Sequence, residues 1–173
     1  MHLKEGSFEI DFKLVKLGAR LAEDDRQCAW ELYTEMVTRV SIVGKADDRN
    51  CSNFDGELLS ESLDSMYNFF QEARNIMRKF PVGKIGKKKN HLGILIHEMM
   101  RQILRPFLEK WHIDYRHWWE LHKNDSSNPI EIQKKYPKYK FFMADWQNLR
   151  LLMRAIEGEL ISIYDLVKVR EQS

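Results

Sequence analysis

The chain has 173 residues, 31% of them charged and 43% hydrophobic, with a formal net charge of +2. That length fits one domain with a real core, and the near-balance of charge excludes a whole-chain pull towards nucleic acid or membrane. Two cysteines, Cys28 and Cys51, are too few and too irregular for a disulfide framework or a zinc site. No run approaches the roughly 20 apolar residues of a membrane span, so a cytoplasmic protein is expected.

Residues 1–16 carry a period of two, with Phe8, Ile10 and Phe12 alternating with Glu9, Asp11 and Lys13. A lone strand needs a partner, and no second convincing strand follows. An extended arm is expected, or a strand completed by another subunit.

The rest of the chain, 17–170, reads as helices. The first runs from Leu21 or Glu23 to Val43, with Asp24 and Asp25 suiting its first turn. Ala29, Trp30, Tyr33, Met36, Val37, Val40 and Val43 form its apolar side, and Gly44 stops it. The second runs from Glu57 to Phe80. Its apolar residues Leu59, Leu63, Met66, Phe70, Ala73, Met77 and Phe80 alternate four and three apart, the seam of antiparallel packing. A lysine-rich loop follows, with Lys84, Lys87, Lys88 and Lys89.

The third helix, 90–123, holds five of the six histidines and three of the five tryptophans. At about 100° per residue, Leu92, Leu95, Ile96, Met99, Met100, Ile103, Leu104, Phe107, Leu108, Trp111 and Trp118 share one broad side. Glu98, Arg101, Arg105, Glu109, His112 and Arg116 form a narrow charged stripe opposite. Pro106 cannot donate to the carbonyl of Gln102, so a kink is expected there. After a loop over 124–138, the fourth helix runs from Tyr139 to Arg170 on Phe142, Trp146, Leu149, Met153, Ile156, Leu160, Ile163 and Val167. Gly158 inside it points to a close approach of a neighbour. Single-domain and all-α, as a four-helix up-down bundle with a kinked third helix, is the expected fold.

Five constellations bear on function. Arg105 and His112, seven apart, fall on one side of a helix. Arg39, Arg74, Arg101 and Arg105 suit either salt bridges or an anion site, but no glycine-rich phosphate loop accompanies them. His97, His112, His117 and His122 are spaced fifteen, five and five apart, whereas helical metal sites favour three or four, so neither metal nor cofactor is expected. The lysine loop lacks interleaved aromatics and reads as solvated. The aromatic end of the third helix, Trp111, Tyr115, Trp118 and Trp119, exceeds what one core seam needs, and surplus Trp and Tyr suit a partner surface.

The spacing of Arg105 and His112 resembles the Arg-x(4–6)-His motif of HEPN-type helical ribonucleases. That resemblance implies Arg105 steadying phosphate charge and His112 assisting proton transfer, with RNA as substrate, although Pro106 stands where a polar residue usually follows the arginine. The segments EMVTR (35–39), SLDSMYNFFQEAR (62–74) and LRPFLEKWH (104–112) are similar to a loose set of bacterial helical proteins that travel with mobile-element or phage-defence genes. It implies an accessory role in a bacterial defence or signalling system. The expectation is therefore a non-enzymatic interaction or regulatory subunit, with Trp111, Trp118 and Trp119 facing a protein partner and Arg101 and Arg105 as polar anchors. Homo-oligomerisation stays open, and ribonuclease activity through Arg105 and His112 is the alternative.

Overall fold

The computed structural model of the protein describes residues 23–80, 92–125 and 128–166. The expected arm, the lysine loop and Val167 fall outside them. Every regular element among the described residues is helical: α1 (Glu23–Val37), α2 (Val40–Val43), α3 (Leu59–Met77), α4 (Leu92–Met99), a π turn (Met100–Leu104), α5 (Arg105–His122), α6 (Pro129–Gln133) and α7 (Tyr139–Tyr164). None is long and apolar enough to cross a membrane.

The first helix does not run unbroken to Val43. The hydroxyls of Thr34 and Thr38 donate to the carbonyls of Trp30 and Thr34 at 2.9 and 2.7 Å, a bonding pattern that bends helices. Arg39 then takes an extended conformation and α2 begins as a separate turn. It ends at Gly44, whose φ of 69° favours glycine. A Cβ there would stand 3.4 Å from the Arg150 side chain.

Phase also differs from expectation. Cys28 and Leu32 are buried in α1, whereas Trp30 and Val40 are exposed. In α3, Phe69 and Ile76 are buried and Phe70 and Met77 only partly so. The α7 face is as expected from Phe142 to Leu160, with every apolar residue of the four-and-three series buried. Gly158 is the exception on that helix: its position is open and no neighbour approaches within 4 Å of where a Cβ would stand.

The third rod keeps its length, but its interruption precedes the proline. Arg105 donates its backbone N–H to Met100, five residues back. Where a ladder returns from five-residue to four-residue steps, one carbonyl is passed over. Pro106, which has no N–H, stands at that transition and loses little. A π turn takes up one extra residue and so sets back the phase by about 100°, the advance of one residue. The broad apolar side inferred from the sequence is thus two narrower faces in register.

A single hydrophobic cluster joins all these elements. The pair α3 and α7 is central to it: α3 packs on α1, α2, α4 and α5, and α7 on α1, α2 and α5. Two arginines of α7 fasten the chain between α2 and α3. Arg150, fully buried, donates to Glu57 at 2.6 Å and lies 3.9 Å above the Phe54 ring. Burial pulls its guanidinium below the ordinary value, and Glu57 opposes that. Arg154 donates to the carbonyls of Val43, Lys45 and Asp48. On the other side, Gln133 of α6 donates to the Glu57 carbonyl at 2.9 Å and accepts from the Leu59 amide at 3.0 Å. That bond satisfies one of the amides left open at the start of α3, where Leu58 offers no side-chain cap.

Candidate functional site

The expected functional residues lie almost entirely on the π turn and α5, so the two sides of that helix decide what each can do. Its inner side is a stack of rings. Phe107, Trp111, Tyr115 and Trp119 are buried, and Trp111 and Tyr115 lie 5.0 and 5.1 Å, centroid to centroid, from Phe142 of α7. The Trp111 indole donates to Asp145 Oδ2 at 2.9 Å, and the Lys110 ammonium reaches the same oxygen at 2.7 Å. Asp145 is completely buried, so these two donors compensate a carboxylate that would otherwise be costly there. Among the described residues, its second oxygen and the Tyr115 hydroxyl have no hydrogen-bond partner. Burial pushes the Tyr115 hydroxyl well above the usual tyrosine value.

The structure therefore turns two of the three tryptophans expected at a partner surface inward. Trp111 and Trp119 present almost no ring surface to solvent. Adjacent side chains point about 100° apart, and Trp118 is the one left at the edge. It is partly buried against the core, stacked on His122 at 4.7 Å and tilted against Tyr136 at 5.2 Å.

On the outer side, Arg101 pairs with Glu98 at 3.0 Å and Arg105 with Glu109 at 2.7 Å. His112 stands at the α3 edge of the same side. Its ring stacks on Tyr67 at 5.5 Å, and its Nε2 stands 3.6 Å from Asp64 Oδ1, beyond hydrogen-bond range. Arg116 holds the same Asp64 at 2.8 and 3.0 Å. Arg105 and His112 are two turns apart, roughly 10 Å along the axis, and the structure does not bring them to a common target. What His112 shares is Asp64 with Arg116.

Towards α7, Asp114 accepts from Lys138 at 2.8 Å and from the Tyr136 hydroxyl. The Lys138 ammonium and the tyrosine hold the Asp114 carboxyl below the usual range. Between these two polar seams the middle of α5 is bare. Ile113 is 76% exposed, with Leu121 at 66% on the same helix, Phe141 of α7 at 60% and Tyr67 of α3 at 42%. Among the described residues, five of the seven large exposed apolar side chains belong to α5 or to the helices flanking it, the fifth being Leu151 of α7.

Open grooves among the described residues also lie elsewhere. One of about 440 Å³ runs between the 52–55 segment, α6 and α7, and one of about 310 Å³ between α1 and α3 beside Trp30, Glu31 and Glu72. Among the described residues no three His, Cys, Asp or Glu side chains gather to hold a metal ion.

The sequence offered a signal for Asp145 and Arg150, charged residues inside the apolar arc of α7. It offered none for Asp64 or Tyr67, which become informative only when α3 lies beside α5. No protein-family model matches the chain, and no curated protein or solved structure is significantly similar to it.

Proposed function

We propose that this chain is a non-enzymatic interaction subunit that docks a protein partner on the outer side of α5. The observation that carries the reading is Ile113, with most of its side chain in solvent at the middle of a helix whose Phe, Tyr and Trp rings are all packed or half-packed. Tyr67, Leu121 and Phe141 extend the apolar surface, Trp118 stands at its edge, and the exposed Arg101 and Arg105 supply polar contacts at the near end. Apolar centre and charged rim is the usual anatomy of a docking patch. Trp111 and Trp119 serve it indirectly, by fixing α5 to α7.

The architecture of that subunit is an up-down-up-down bundle of α1, α3, the third rod and α7. Contacts between neighbours run in opposite chain order, which supports antiparallel pairing all round. Glu31 meets Lys79 and Arg39 meets Ser65; Asp64 meets Arg116 and Tyr67 meets His112. Lys110 meets Asp145 and Asp114 meets Lys138; Arg26 meets Asp165 and Ser41 meets Trp146. The resemblance around 104–112 favours a bacterial, cytoplasmic setting in defence or signalling.

The rival reading, a metal-independent ribonuclease, keeps one favourable observation: His112 sits with Arg116 against a carboxylate. Two measurements separate the readings. Ile113→Asp and Trp118→Ala, each shown by circular dichroism to stay helical, are expected to lower recovery of the partner on co-purification from the host. Unchanged recovery with both variants overturns the proposal. RNA cleavage by the wild type that disappears in His112→Ala would replace it with the rival.

A further inference from the structure

The outer stripe of α5 is its own complement. Arg105, Glu109, Arg116 and Glu120 alternate in charge at spacings of four, seven and four residues. Read from the other end, the same stripe alternates with opposite sign on the same spacings. At about 100° per residue the four fall within roughly 60° of arc, and Ile113 lies about 20° beyond them, half a residue from the midpoint of the stripe. All four side chains are exposed. Their present partners lie within the chain: Arg105 with Glu109, Arg116 with Asp64, and Glu120 with Lys123.

We infer that the occupant of this face is a second copy of the chain, with the two α5 helices antiparallel across a two-fold axis beside Ile113. The proposal rests on the docking surface described above and names what covers it. The symmetry makes the contact isologous. Arg105 meets Glu120 of the second copy and Glu109 meets its Arg116, each twice, while the two Ile113 side chains meet at the centre. In the opposite, parallel alignment at the same register, Arg would face Arg and Glu would face Glu, so the stripe also selects the direction of pairing. Tyr67 on the α3 side widens the apolar strip. One helix face with one flank buries less than the roughly 800 Å² per partner of a standard interface, so the dimer is a weak, concentration-dependent one whose stability falls with added salt.

A charge-swap experiment on the full chain tests this by sedimentation equilibrium over a range of concentrations. Arg105→Glu and Glu120→Arg are each expected to raise the dissociation constant about tenfold or more, since each sets like charges opposite one another twice. The double variant Arg105→Glu/Glu120→Arg restores opposite signs and is expected to return to within about threefold of wild type. Neither residue is buried or holds another helix, so circular dichroism should be unchanged throughout. A wild type that stays monomeric at every concentration overturns the second-copy proposal, and so does a double variant no better than the worse single one. A monomer whose host partner is still lost with Ile113→Asp leaves the docking surface standing. A chain in which Ile113→Asp changes neither self-association nor partner recovery removes both.

Discussion

Arg150 shows how a single side chain can be decisive and still go unread. Its helix face is plain from the sequence, because Phe142, Trp146, Leu149 and Met153 mark the buried arc in which it sits. A charge in that arc announces a buried partner, but Glu57 is 93 residues away and no periodicity connects them. Removing the guanidinium strands a carboxylate in the interior, one oxygen of which already lacks a hydrogen bond among the described residues. Arg150→Ala is therefore expected to lower unfolding stability by about 3–5 kcal/mol, measured by urea denaturation. A loss below about 1 kcal/mol would mean that Glu57 finds water or another donor as readily as it finds Arg150. Trp118 and Trp119 teach the complementary lesson. Their adjacency shows that the two must diverge, but which one goes inward depends on where α6 and Tyr136 are placed.

Among the elements, α7 is the most legible and the third rod the least. The α7 pattern holds one phase from Phe142 to Leu160, so its core face there can be taken straight from the spacing of apolar residues. In the third rod, the proline points to a disturbance within one turn of the right place, but the sequence does not state its form. A kink would bend the axis, whereas a π turn resets the phase and brings the faces of the two halves into register, which a uniform 100° count spreads into one broad side. The break in α1 is likewise local chemistry: two threonines bonding back to their own helix. Gly158 gives a test at this scale. The glycine lies inside α7, exposed, with helical neighbours and open space where a methyl group would stand. Alanine there gives up less chain entropy on folding, and Gly158→Ala is expected to raise stability by about 0.5–1 kcal/mol. A fall in the melting temperature would reveal a close neighbour after all.

For the molecule as a whole, the titrating groups define a window. The Lys79 ammonium lowers Glu31, the Asn53 amide lowers Asp48 and Lys138 lowers Asp114. A carboxyl depressed in the folded state adds stability above its unfolded value and loses it as the pH falls through the folded one. Burial raises the hydroxyls of Tyr115, Tyr136 and Tyr164. A raised group acts in reverse: its contribution is complete below the unfolded value and is lost as the pH climbs through the folded one. Stability is thus expected to stay level between about pH 5 and pH 10 and to decline outside that range. The alkaline limb has its own readout. The three tyrosines named should ionise in the ultraviolet only well above the ordinary tyrosine value, close to the point of unfolding. Ionisation of these three near pH 10 in the folded protein would contradict their burial.

The π turn has one more effect, on direction rather than on stability. Because it absorbs a single surplus residue, it determines which meridian of α5 looks away from the molecule. Excising one residue between Met100 and Leu104 while α4 kept its seat would swivel α5 by about 100°. Ile113 and the alternating charges would no longer look outward along their present line. A backbone insertion of one residue thereby points the whole contact surface of α5.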